Sequence, residues 1–225
     1  MIILVQNDPE VPPGLLLEAL RQSPTPCRVL RPDLGEPLDG LAEAAAVIVL
    51  GGKMGVDDIT EFPFLVKVKE FIRAVLAGDI PFLGICLGGQ LLAQVAGGRV
   101  ISRANEELGC HPIFLTGQGA ADPIFASLLQ QFITFQWHHD SFVPPAGAAL
   151  LAYSAGCPHQ AFRFGKLAYG FQFHPEVTPS IVALWSADTP RSQDITAAFQ
   201  EKEAAYRRTS LAVLTNFLKI ANCVR

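Results

Sequence analysis

Short runs of unbroken apolar residues punctuate the first half of the chain. Met1–Val5, Val47–Leu50 and Pro81–Ile85 are apolar throughout, and Cys27–Leu30 is a short strand candidate between the first two. A strand with one wet face alternates apolar and polar residues. Continuous runs therefore predict strands buried on both faces, as in a parallel sheet. Between the runs the rhythm changes to helical. Leu15, Leu16, Ala19 and Leu20 follow two prolines and predict a helix over Gly14–Gln22. Leu65, Val68, Phe71, Ile72 and Val75 predict a second over Phe64–Ala77, stopped by Gly78. A third is expected over Gly89–Ala96, ended by Gly97-Gly98. Strands alternating with helices in this way imply an α/β, doubly wound, mostly parallel sheet, whose sites gather at the carboxyl ends of the strands.

The second half is richer in strand patterns. Cys110–Leu115, Phe132–Trp137, Ala149–Tyr153, Ala161–Phe164 and Leu167–Phe173 are expected as additional strands, the last two joined by a hairpin at Gly165-Lys166. From about Asp194 to Ile220, Ile195, Phe199, Tyr206, Val213, Phe217 and Ile220 keep a loose helical register, predicting one long or two shorter helices that cap the domain. No internal repeat, low-complexity tract or linker interrupts the chain. The expectation is one domain over 1–225, with a core of about 1–185 and a helical extension of about 186–225.

Composition narrows the function. Half of the 225 residues are hydrophobic, enough for one sizeable core. A net charge of -4 with only 17% charged residues offers no basic face for nucleic acid. The apolar runs are too short to cross a bilayer, and "MIILVQND" reads as a core strand, not a signal peptide. Five cysteines, Cys27, Cys86, Cys110, Cys157 and Cys223, show no paired spacing, which favours a reducing, cytoplasmic setting over a disulfide scaffold. No CxxC or HExxH spacing points to a metal. In His138-His139-Asp140 the two neighbouring histidines would point to opposite faces of a strand, so one ion would not collect both.

Three stretches carry chemistry. Gly84-Ile85-Cys86-Leu87-Gly88 has the form G-x-C-x-G at the end of a predicted strand. A sharp strand-to-helix turn there lifts a nucleophile out of the sheet, and its glycines stand where backbones crowd. The helix start favours a thiolate at Cys86, and the Leu87 N–H would face an oxyanion beside the sulfur. "YGFQFHPE" supplies a base, His174, and an orienting carboxylate, Glu176, held in reach across Pro175. "VIVLGGKMGVDD" places Gly51, Gly52 and Gly55 past a strand. It lacks the Gly-Lys-Ser/Thr of a phosphate loop, and Gly52 N–H is expected as the second oxyanion donor.

Together, and in this order, "GICLGGQLLA", "GFQFHPE" and the glycine loop resemble the class I (triad) glutamine amidotransferases over roughly Met1 to Trp185. The variants "GGKMGVDD" and "WHHDSF" most resemble stand-alone GMP-synthase-like amidotransferase proteins. The resemblance implies a flavodoxin-like sheet and a triad of Cys86 as nucleophile, His174 as base and then acid, and Glu176 as orienting group. It implies Gln90 and the loop at His139 and Asp140 as contacts to glutamine, with Gly51 beside them. Many members carry a small residue at the position of His139 and a proline at that of Lys53. The implied reaction passes through a γ-glutamyl thioester and needs no metal or organic cofactor.

The ammonia of such a reaction normally goes to a synthetase. No ATP-binding or pyrophosphatase motif follows Glu176, so the expected partner is a separate protein. A γ-glutamyl peptide or amide hydrolase would need the same triad. A non-catalytic binding or regulatory module is the third reading, and the intact Cys86, His174 and Glu176 argue against it.

Overall fold

In a computed structural model, which describes residues 1–223, the chain order begins β1 (Ile2–Val5), α1 (Leu16–Arg21), β2 (Cys27–Leu30), β3 (Ala46–Val49), α2 (Phe64–Ala77), β4 (Phe82–Ile85) and α3 (Leu87–Val95). It continues with β5 (Arg99–Ile101), β6 (Glu107–Leu115), α4 (Gly117–Ala121), β7 (Gln131–His138), β8 (Ser141–Val143) and β9 (Ala149–Tyr153). β10 (Ala161–Phe164), β11 (Ala168–Phe171), α5 (Pro179–Ser186) and α6 (Ser192–Ile220) complete it.

Nine strands form one mixed sheet in the order β2-β1-β3-β4-β11-β10-β9-β6-β7. The first five are mutually parallel and the last four antiparallel to their neighbours. The parallel half has the 2-1-3-4-5 pattern of flavodoxin-like sheets. Side chains of its fully buried strands alternate between two cores, as a two-residue period requires. Ile2 and Leu4 of β1 and Ile48 of β3 enter one core with α1, α5 and α6; Ile3, Val5, Val47 and Val49 enter the other with α2 and α3. Each large apolar side chain so buried contributes about 1.5–3 kcal/mol of transfer free energy.

The ends of α2 and the bounds of β2, β9 and β10 match the sequence pattern residue for residue, and Gly165 takes the positive φ of the expected hairpin. Other parts differ. β5 and β8, three residues each, form a separate antiparallel pair too short to show a period. The helix α5 has no counterpart in the sequence expectation, although Thr178-Pro179 is a start signal: the Thr178 side chain accepts from the Ile181 N–H. The tail is a single helix of 29 residues. α6 lays Ile195, Phe199, Tyr206, Val213, Leu214, Phe217 and Leu218 on the core beside α1, α5, β6 and β7.

Candidate active site

Register decides which residues meet. In the parallel pair of β4 and β11, Ile85 lies opposite Phe171. Cys86 is therefore one residue beyond the sheet edge on β4, and His174 is three beyond it on the adjacent strand. β3, on the other side of β4, ends at Val49 and delivers Gly51 and Gly52 to the same edge; β1 delivers Asp8.

Cys86 has φ 50° and ψ -108°, a conformation that L side chains avoid at a cost of about 1–3 kcal/mol. The turn is fixed by the Cys86 N–H, which donates to Phe171 O at 2.8 Å. Close packing around it explains the glycines. A Cβ on Gly84 would lie 2.3 Å from Gly88 O, one on Gly88 2.1 Å from Val49 O, and one on Gly89 2.6 Å from Phe171 O. Here the sequence expectation needs correction, for α3 begins at Leu87, two residues before Gly89. Gly88 and Gly89 do not delay the helix; they let its first turn press against β3 and β11. The leading N–H groups of a helix have no partner within it, and α3 starts directly after Cys86.

His174 and Glu176 are both buried, and the ring Nδ1 lies 2.7 Å from Glu176 Oε1. The His174 N–H donates to Phe135 O at 2.8 Å, which anchors the segment on β7. Trp185 of α5 meets the ring edge to face at 4.8 Å and donates its indole N–H to Glu10 O at 2.6 Å. A Cβ on Gly51 would sit 3.3 Å from His174 Cε1 and 3.5 Å from Cys86 Cβ, so imidazole and cysteine flank a single point. The other ring nitrogen, Nε2, is buried and has no hydrogen-bond partner. Burial works against an imidazolium here, but Glu176 and then Cys86 outweigh it and push the ring's pKa up to about 10.

The glycine loop lies against the turn: a Cβ on Gly52 would be 3.0 Å from Leu87 Cδ2. Asp8 braces the loop, accepting the Lys53 N–H at 3.2 Å and the Glu10 N–H at 2.9 Å, while Asn7 Nδ2 donates to Leu50 O at 2.9 Å. Gln90 is buried and donates to Gln172 Oε1 at 3.3 Å; Gln172 Nε2 in turn lies 3.6 Å from Cys86 Sγ. Asp8, Gly52, Cys86, Gln90 and His174 open onto a cleft of about 840 Å³, lined also by Trp137, His139, Asp140, Leu184 and Trp185.

His139 and His138 diverge, as strand neighbours do. His139 Nδ1 lies 2.6 Å from Glu106 Oε2 at the surface, and Asp140 accepts the Arg103 N–H at 2.9 Å. His138 turns inward, its Nε2 3.5 Å from Glu107 Oε2. Burial alone would raise the Glu107 pKa, but hydrogen bonds from His138 and Ser154 hold it below the usual carboxylate range. All five cysteines are free thiols. Burial raises the pKa of Cys27, Cys157 and Cys223, and that of Cys110 to about 11, so these four are poor nucleophiles.

The predicted residues Cys86, His174, Glu176, Gly51, Gly52, Leu87 and Gln90 thus meet at one sheet edge, with His139 and Asp140 on the rim of the cleft. Asp8, Gln172 and Trp185 are not among the expected site residues, and Tyr206 is expected only on the buried face of the tail helix. Asp8 carried a usable signal, since it lies three residues past a predicted parallel strand, where sites gather.

The profile described as "Glutamine amidotransferase class-I" matches residues 14–182. The chain belongs to that family. Among relatives of the chain, the glutamine amidotransferase-like protein YfeJ of Salmonella typhimurium is 38% identical over 114 residues, 51% of this chain and 48% of YfeJ. A glutamine-hydrolyzing GMP synthase subunit of Saccharolobus solfataricus is 35% identical over 144 residues, 63% of this chain and 72% of that protein. The chain thus spans about half the length of YfeJ, and 64% of the related L716 protein of Acanthamoeba polyphaga mimivirus. In structure it is similar to a glutamine amidotransferase from Thermotoga maritima, with TM-score 0.87, 26% identity and 98% and 97% of the two chains covered. A glutamine amidotransferase from Methylobacillus flagellatus gives TM-score 0.88 at 25% identity, covering 97% and 94%. Among the described residues, no helix is long and apolar enough to cross a membrane.

Proposed function

We propose that this amidotransferase hydrolyses the side-chain amide of glutamine through a Cys86–His174–Glu176 triad. Cys86 Sγ attacks the γ-carbonyl carbon, and the tetrahedral oxyanion is held by the N–H groups of Gly52 and Leu87. As the C–N bond breaks, the protonated His174 gives its proton to the departing nitrogen, leaving ammonia and a γ-glutamyl thioester on Cys86. Water then attacks the thioester while His174 takes its proton, and glutamate leaves with the thiol restored. Gln90 and the loop at His139 and Asp140 orient the amino-acid end of the substrate. The ammonia passes to a separate synthetase in a reducing, cytoplasmic setting.

The observation that carries this reading is the meeting of an elbow cysteine with a buried His174–Glu176 pair, Nδ1 to Oε1 2.7 Å, around Gly51 at the edge of one cleft. Relatives named as glutamine-hydrolyzing GMP synthase subunits support glutamine as substrate and a synthetase as partner. The size of the cleft favours a second reading. About 840 Å³ is far more than one glutamine fills, which leaves room for the second half of a γ-glutamyl amide or peptide.

One experiment tests both: purified protein is supplied with glutamine or with γ-glutamyl peptides, and released glutamate is measured for wild type and Cys86→Ala. Release from glutamine that vanishes in the variant supports the first reading, and faster turnover of peptides supports the second. Undiminished release by Cys86→Ala would overturn both.

A further inference from the structure

The segment that bears the base is pinned from behind by the C-terminal helix. Tyr206 of α6 is fully buried, and its hydroxyl makes two hydrogen bonds to the backbone of this segment. It donates to His174 O at 2.8 Å and accepts the Val177 N–H at 3.0 Å. A carbonyl can only accept and an N–H can only donate, so both roles of the hydroxyl are fixed. One side chain thus spans the residues that enclose Glu176, closing the turn His174–Val177 into a ring. The remaining ties come from other elements: the His174 N–H bonds Phe135 O, and the Leu15 N–H donates to Glu176 O at 2.7 Å. Phe199 packs edge to face on the Tyr206 ring at 5.1 Å and fixes its position.

We infer that Tyr206 is a positioning residue: its hydroxyl holds the His174–Val177 turn so that Glu176 stays against the imidazole and the ring stays aimed at Cys86. The hydroxyl touches no reacting atom and acts only through the backbone on either side of the carboxylate. Burial raises the Tyr206 pKa well above its ordinary value, so the O–H persists as a donor throughout the working range of pH. The ionisable groups that act on the His174 ring are Glu176 on its own segment and Cys86 from the elbow; Asp8, Glu10, Lys53, Arg103 and Asp188 line the same cleft. This inference deepens the triad reading and rests on it for its effect on turnover, but its geometric content can be tested without turnover.

Tyr206→Phe keeps the ring and removes only the hydroxyl. With histidine labelled with ¹⁵N, the His174 titration is followed by NMR from pH 5 to 11 in the wild type, in Tyr206→Phe, and in Phe217→Leu. The last thins the packing of the same helix three turns further on. The wild-type midpoint is expected near 10. In Tyr206→Phe it is expected at least one pH unit lower, with kcat reduced 10- to 100-fold and KM nearly unchanged, whereas Phe217→Leu lowers the melting temperature and leaves the midpoint in place. An unmoved midpoint in Tyr206→Phe, or an equal fall in Phe217→Leu, would overturn the inference. A midpoint that moves as expected in a protein that hydrolyses no γ-glutamyl substrate would sink the proposed function and leave the positioning role standing.

Discussion

Glu176→Gln changes the charge behind the base and almost nothing else. In the wild type, burial opposes an imidazolium at His174, yet the carboxylate at 2.7 Å and then Cys86 lift the ring from the ordinary 6.5 to about 10. With the carboxylate neutralised, burial is opposed by Cys86 alone, and the midpoint is expected at or below 6.5. The fall is at least about 3.5 pH units, roughly 5 kcal/mol at about 1.36 kcal/mol per unit. Two consequences follow at pH 8. The ring no longer carries the proton that ammonia needs, and the amide group can donate to Nδ1 and stabilise the wrong tautomer. Replacing the carboxylate of a comparable serine triad with an amide costs about 10⁴ in kcat, so a loss of about 10²–10⁴ is expected here. Glutamate release, coupled to a dehydrogenase and followed from pH 6 to 11, reads both effects. The wild-type rate should fall on the alkaline side as pH passes 10; the variant's alkaline limb should lie near or below pH 7. Stability moves with the same sign. The ring's pKa is raised on folding, so its contribution is full below pH 6.5 and is lost as pH rises through about 10. The gap in melting temperature between wild type and Glu176→Gln should therefore close toward pH 10. A variant with its alkaline limb unmoved, or with a rate within threefold of wild type, would refute this account of the carboxylate.

Two further outcomes concern the elbow. Cys86→Gly and Cys86→Ala should both be inactive, but the glycine variant should be the more stable by about 1 kcal/mol in urea denaturation, because only glycine adopts φ 50° and ψ -108° without strain. Equal stability would show that the turn stores none. Gly84→Ala should lose more than about 3 kcal/mol or fail to fold, since its Cβ would lie 2.3 Å from the Gly88 carbonyl, which the backbone cannot easily move; a soluble variant with an unchanged melting curve would contradict that packing.

What the sequence made legible is what short-range patterning encodes. The continuous apolar runs at Val47–Leu50 and Pro81–Ile85 announced the parallel strands β3 and β4, whose two faces are both buried. G-x-C-x-G announced the elbow because crowding at Gly84 and Gly88 leaves no alternative residue. His174 and Glu176 were readable because a single residue, Pro175, separates them. Gln172 lay inside the same motif and was passed over, since nothing local says that its amide faces Cys86 across β11. Trp185 and Tyr206 were hidden for a different reason. Trp185 reaches His174 from the next helix, α5, and Tyr206 from α6, 32 residues on; apolar spacing reports which face of α6 is buried without reporting what a tyrosine hydroxyl meets there. The early start of α3 was missed because glycines read as helix breakers where close packing in fact demands them.

The proposed chemistry turns on a covalent bond at one sulfur. Rapid acid quenching during turnover of glutamine or a γ-glutamyl peptide, followed by digestion and mass spectrometry, should find a γ-glutamyl increment on the peptide that carries Cys86, accumulating further in variants slowed at the thioester-hydrolysis step. Steady glutamate release with no such adduct, or with the adduct on Cys27, Cys110, Cys157 or Cys223, would contradict it.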